Sequence, residues 1–76
     1  ELSFPTPEQI RQLTVLSHIW TTGDRYYKLA FEYYGNSKYW WVIAWFNKKP
    51  TEGHLKAGDL IYIPTPLDKI LNYYDV

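Results

Sequence analysis

Among the side chains whose types could support acid–base catalysis or hold a metal ion, Asp24, Glu32, His18 and His54 are the candidates to weigh first. A carboxylate pair hydrolyses a glycosidic bond when one member is kept protonated in an apolar cleft while the other stays ionised. Asp24 and Glu32 supply two carboxylates, but a chain of 76 residues offers no evident cleft, and Asp24 is already accounted for as a helix N-cap. The two histidines lie in a strand-like segment and a loop, without the His or Cys spacing of a metal site, so both are expected to be structural or solvent-exposed. With no cysteine, disulfides and thiolate ligands are excluded. Gly23, Gly35 and Gly58 stand at turns rather than in a phosphate-cradling loop. The expectation is a chain without catalytic residues, cofactor or metal.

Eight basic and eight acidic residues give a formal net charge of zero, which leaves no electrostatic footprint for nucleic acid or an anionic membrane. No apolar run approaches the roughly 20 residues that span a bilayer, and no signal peptide is visible. The chain opens at Glu1 rather than Met, so it is expected to be a processed or excised piece. One domain covering residues 1 to 76 is expected, with a core from 14 to 64 and extensions at 1 to 13 and 65 to 76. So short a chain buries only about 60% of its unfolded surface. Aromatic area is the reinforcement, at 20% of residues.

The elements follow from punctuation and period. Thr6, Pro7 and Gln9 give the N-cap, N1 and capping-box signals of a short helix ending near Leu13. Residues 14 to 22 alternate as a strand, and Gly23 breaks it. Asp24 then caps a helix over 24 to 34 whose stripe is Tyr26, Leu29, Ala30, Tyr33 and Tyr34, closed by Gly35. Asn36 or Ser37 caps the next helix, over 37 to 47. It places Trp40, Ile43, Ala44 and Asn47 on one face, with Tyr39, Val42 and Phe46 flanking and Trp41 and Trp45 pointing elsewhere. Pro50 and Gly53 mark a loop, Ala57-Gly58-Asp59 a turn and Leu60 to Ile63 a strand closed by Pro64. Thr65 and Pro66 open a terminal helix over 66 to 74, with Leu67, Ile70, Leu71 and Tyr74 on one face. The fold class is α+β: a β-α-α-β unit with a two-stranded antiparallel sheet and an added C-terminal helix. Its expected core is Tyr26, Leu29, Ala30, Tyr33, Trp40, Ile43, Leu60 and Ile63. Trp40 is assigned to that core and Trp41 to association, while Leu13, Leu67, Ile70 and Leu71 are expected to cover the second aromatic stripe.

This order of elements resembles the LysM module over residues 18 to 64. Thr22-Gly23-Asp24-Arg25-Tyr26 is similar to the family's Gly-Asp-Thr-Leu opening, with Arg25 in place of the usual Thr. Leu29-Ala30 and Tyr33-Tyr34-Gly35 match its Ile-Ala and Tyr-Tyr-Gly, and Trp40, Ile43 and Asn47 its Trp, Ile and Asn. The run from Leu55 to Pro64 matches its closing Leu-x-Pro-Gly-x-x-Leu-x-Ile-Pro. The terminal extensions and Tyr39-Trp40-Trp41 look more like the LysM-like modules built into tailed-phage baseplate and tail proteins than like secreted glycan binders.

Two functions are therefore expected. In the favoured one the chain is a structural adaptor of a phage tail or baseplate. It would reside in the virion after synthesis in the host cytoplasm, with Tyr39, Trp41 and Trp45 against other tail or baseplate proteins or domains. In the other it is a peptidoglycan- or chitin-binding LysM domain, extracellular or in the cell wall. N-acetylglucosamine units would then lie between Gly23, Asp24, Arg25 and Tyr26 on one side and Lys49, Pro50, Thr51 and Glu52 on the other.

Overall fold

A computed structural model describes residues 6 to 73. The elements run α1 (Pro7–Arg11), β1 (Thr14–Ile19), α2 (Tyr26–Tyr34), α3 (Trp40–Phe46), β2 (Leu60–Thr65) and α4 (Leu67–Tyr73). Single 3₁₀ turns at Ser37–Tyr39 and Glu52–His54 complete the order. The two strands pair antiparallel from Thr14 opposite Thr65 to Ile19 opposite Leu60. The class and the β-α-α-β order are as the sequence led one to expect.

Local chemistry explains most boundaries. Thr6 and Gln9 form the reciprocal capping box: the Gln9 N–H donates to Thr6 Oγ1 at 3.2 Å and the Thr6 N–H to Gln9 Oε1 at 2.9 Å. Gly35 ends α2 at φ 78°, its N–H donating to the Phe31 carbonyl. α3 ends the same way without a glycine. Lys48 stands at φ 58°, and the N–H groups of Lys48 and Lys49 donate back to the carbonyls of Trp45 and Ala44. That is the paired closure of a Schellman end, built on a side chain that the left-handed region disfavours.

Several expectations are corrected. Asp24 does not cap α2; Arg25 occupies the cap position in extended conformation, with no side-chain cap bond. The strand expected to reach residue 22 stops at Ile19, because Asp24 closes a turn back to Thr21. β2 does not stop before Pro64 but runs through it to Thr65. Proline is tolerated there because Pro64 faces Val15 and the neighbouring ladder amides point the other way. α4 begins at Leu67, after a cis Thr65–Pro66 peptide. Tyr74, placed on its apolar face, lies outside the described residues.

The core lies between the inner sheet face and the pair α2 and α3. Trp20, Tyr26, Leu29, Ala30, Ile43, Ala44, Ile61 and Ile63 form one buried cluster, with Tyr33, Tyr34 and Leu55 packed partly against it. Leu60 is exposed, because Ile61 and Ile63 take the inward positions of β2 and period-two alternation then turns Leu60 outward. Trp40 is also exposed, at 43%. It shares a face with Ile43 and Ala44 but is the first residue of α3, at the open end of the helix, while the buried residues are the consecutive Val42, Ile43 and Ala44. Three consecutive positions span about 200° of helix circumference, so α3 is covered on more than one side. Pro64 and Ile70 are fully buried where α4 packs against β2. Tyr73 donates its hydroxyl to the Gln9 carbonyl at 3.1 Å, which joins α4 to α1.

Ile43→Ala should therefore cost about 2 to 5 kcal/mol and Trp40→Ala no more than about 1, measured by denaturant unfolding. Lys48→Gly should raise stability by about 1 kcal/mol by relieving the left-handed backbone, measured the same way.

Candidate functional site

An open groove of about 360 Å³ lies between the start of α2 and the loop after α3, lined by Tyr26, Tyr27, Trp40, Pro50, Thr51 and Glu52. Its geometry starts with Tyr26. Helix periodicity turns this residue inward, where its ring meets Trp20 edge-on at 5.6 Å between centroids. Its hydroxyl donates to the Lys49 carbonyl at 2.8 Å. Its backbone N–H, one of the unpaired donors of the first helical turn, donates to Glu52 Oε2. A carboxylate from a distant loop thus serves the helix start that Asp24 was expected to serve, and it gains from the positive end of the helix dipole. Glu52 Oε1 also approaches Arg25 Nε at 3.9 Å, an exposed contact worth little by itself.

Asp24 is turned away from the groove. Its Oδ2 accepts from the Thr21 N–H at 2.8 Å and lies 2.9 Å from His18 Nε2. The other imidazole nitrogen of His18 lies 3.4 Å from the Tyr33 hydroxyl. The coherent proton arrangement has Tyr33 donating to Nδ1 and Nε2–H donating to Asp24. Burial pushes the Asp24 carboxyl up, but the hydrogen bonds from His18 and Thr21 outweigh it and hold it below the ordinary aspartate range. This pairing therefore stabilises the fold above that range and is lost as pH falls through the lowered value. It fastens the end of β1 to the turn and to α2.

The two segments named from sequence as facing each other do so in part. Arg25 and Tyr26 meet Lys49 and Glu52 directly, and Pro50 and Thr51 line the same groove. Gly23 and Asp24 do not line it. Tyr27 and Trp40 were not assigned to it, although they are its exposed aromatic walls, at 51% and 43%. Their signal was readable: Tyr27 falls off the apolar stripe of α2, and an aromatic residue off the stripe belongs to solvent or to a ligand. Tyr39, Trp41 and Trp45 are half-buried. Lys38 Nζ stands 5.3 Å from the Tyr39 ring centroid, and Trp45 and Phe46 lie with rings tilted at 6.0 Å. Among the described residues no cluster of three His, Cys, Asp or Glu could hold a metal, and no helix is long and apolar enough to cross a membrane.

Burial, together with the Glu52 carboxylate, pushes the Tyr26 hydroxyl up to about 12, and burial also raises that of Tyr34. The folded protein therefore holds these protons more tightly than the unfolded chain, and stability should fall as pH rises above about 10. Tyr26→Phe should flatten part of that alkaline decline and cost about 1 to 3 kcal/mol at neutral pH by leaving the Lys49 carbonyl without its partner. Urea unfolding across the alkaline range measures both effects.

No protein-family model, curated protein or solved structure matches this chain.

Proposed function

We propose that this chain is a non-catalytic structural adaptor that works by protein–protein contact, in the setting its resemblance to phage LysM-like modules implies: a tail or baseplate, within the virion. The observation that supports this reading is where the apolar surface lies. By strand register, Val15, Ile19, Leu60 and Tyr62 share the outer face of the sheet, and all four are exposed. Tyr27 and Phe31, one helical turn apart, are exposed on α2, and Trp40 stands at the groove. Exposed apolar side chains gathered on the outer sheet face and on α2 favour contact with a partner, and zero net charge removes the repulsion that would oppose it. Tyr39, Trp41 and Trp45, being half-buried, would form the margin of such a contact rather than its centre.

The groove favours a second reading, a glycan-binding LysM domain, because Tyr27 and Trp40 offer ring faces on which a sugar could stack. Against it stands the use already made of polar groups between the two loops. The Tyr26 N–H and hydroxyl and the Glu52 carboxylate bond to one another's segments, which leaves fewer partners for sugar hydroxyls.

Calorimetric titration with N-acetylglucosamine oligomers, and a pull-down on insoluble peptidoglycan, should show no binding. Saturable binding abolished by changes at Arg25, Tyr26 or Glu52 would overturn the adaptor reading. Sedimentation should show concentration-dependent association of the isolated chain. Ile19→Lys should weaken it while changing stability by no more than about 0.5 kcal/mol.

A further inference from the structure

We propose that the groove at Tyr27 and Trp40 takes an extended, proline-containing segment of a partner protein, with a basic residue beside the prolines to meet Glu52. The inference rests on the adaptor reading and names the chemistry of one partner. Three observations carry it.

The groove is walled by rings. Tyr27 and Trp40 stand more than 40% exposed across from the Pro50 pyrrolidine, with Tyr26 beneath, and its volume of about 360 Å³ holds a short stretch of chain rather than a helix. Aromatic-lined grooves of this kind accept polyproline II segments, whose ridged surface packs between rings and whose ordering cost is low because the conformation is already extended in the free peptide.

Several polar groups around it are already committed to one another. The Tyr26 N–H goes to Glu52, the Tyr26 hydroxyl to the Lys49 carbonyl, and the Thr51 hydroxyl lies 3.0 Å from His54 Nδ1. A ligand rich in N–H groups would find few acceptors here beyond Glu52, a cost that proline avoids because it carries no N–H.

The charge in the groove is negative. Glu52 lines it, its Oε2 is held by Tyr26, and the Arg25 guanidinium touches its Oε1 only at 3.9 Å from an exposed position. An arginine or lysine from the partner would complete this carboxylate with better geometry, which sets the orientation in which the segment lies.

The test is fluorescence-anisotropy titration of the whole chain with labelled synthetic peptides of alternating proline and alanine that end in arginine. Saturable binding is expected, weakened about tenfold or more by Trp40→Ala and by Tyr27→Ala, with melting curves confirming that both variants fold. Replacing the peptide's prolines by alanine, or its arginine by glutamate, should weaken binding comparably. Absence of saturable binding at millimolar peptide, or equal binding by Trp40→Ala and the alanine peptide, would overturn the proposal. In that case the adaptor reading stands, provided N-acetylglucosamine oligomers also fail to bind. Saturable sugar binding lost in Trp40→Ala, with no binding of the peptide, would overturn both.

Discussion

The fold depends on Tyr26. One side chain and one amide fasten three parts of the chain that would otherwise meet only through apolar contact: the ring against Trp20 at the end of β1, the hydroxyl on the carbonyl of Lys49, and the N–H on the carboxylate of Glu52. Apolar burial is non-directional and cannot choose between nearby packings of two short helices on a two-stranded ribbon. Directional bonds from a buried residue can, because an unmatched donor or acceptor in the core costs more than a matched one returns. The same fastening determines the groove, since the loop held by Tyr26 is the one that brings Pro50 and Thr51 opposite Tyr27 and Trp40.

A two-stranded sheet has the further difficulty that each strand leaves an edge of backbone groups unpaired. On β2 the chain answers with side chains. The Tyr62 N–H donates to Asn47 Oδ1 and Asn47 Nδ2 donates to the Tyr62 carbonyl, both at 2.8 Å, so one carboxamide acts as a single residue of a third strand. Tyr34 donates its hydroxyl to the Pro64 carbonyl at 2.7 Å, two residues further along the same edge. The two-residue interval is that of the outward-pointing backbone groups of a strand. Proline at 64 belongs to the same scheme: its missing N–H falls on the side where only the carbonyl is bonded.

What the sequence disclosed and what it hid divide along a physical line. Features set by one or a few neighbouring residues were legible: the Thr6 capping box, the Gly35 termination, the stripe of α2, and the two strands with their antiparallel pairing. Features decided by a distant partner were not. Asp24 has the composition of a cap, but the Thr21 amide and His18 compete for its carboxylate and win, and Glu52, 26 residues beyond Tyr26, takes the role. Trp40 shares a face of α3 with the buried Ile43 and Ala44, but as the first residue of the helix it stands at its open end, and periodicity reports the face of a residue and not how far the neighbouring elements extend over it. The groove was half legible. Facing loops are nameable from their order, but of its aromatic walls Tyr27 carries no assignment in the sequence and Trp40 is expected in the core.

Exposed aromatic rings are a sign of binding only when burial was available and was not used. By helical phase Trp40 falls between Ile43 and Ala44, on the buried side of α3, yet as the first residue of the helix it stands 43% exposed at the groove. The chain encloses valine, isoleucine and alanine and leaves the indole at the groove, opposite Pro50 and beside Tyr27. Packing constraints favour this arrangement in part, since smaller side chains let α3 approach α2 and β2 closely. They do not account for Tyr27, which lies off the buried stripe of α2 at a position where a polar residue would cost the core nothing. Two large rings flank one groove, and one of them is unneeded by packing, which is the feature that the proposed partner segment would account for.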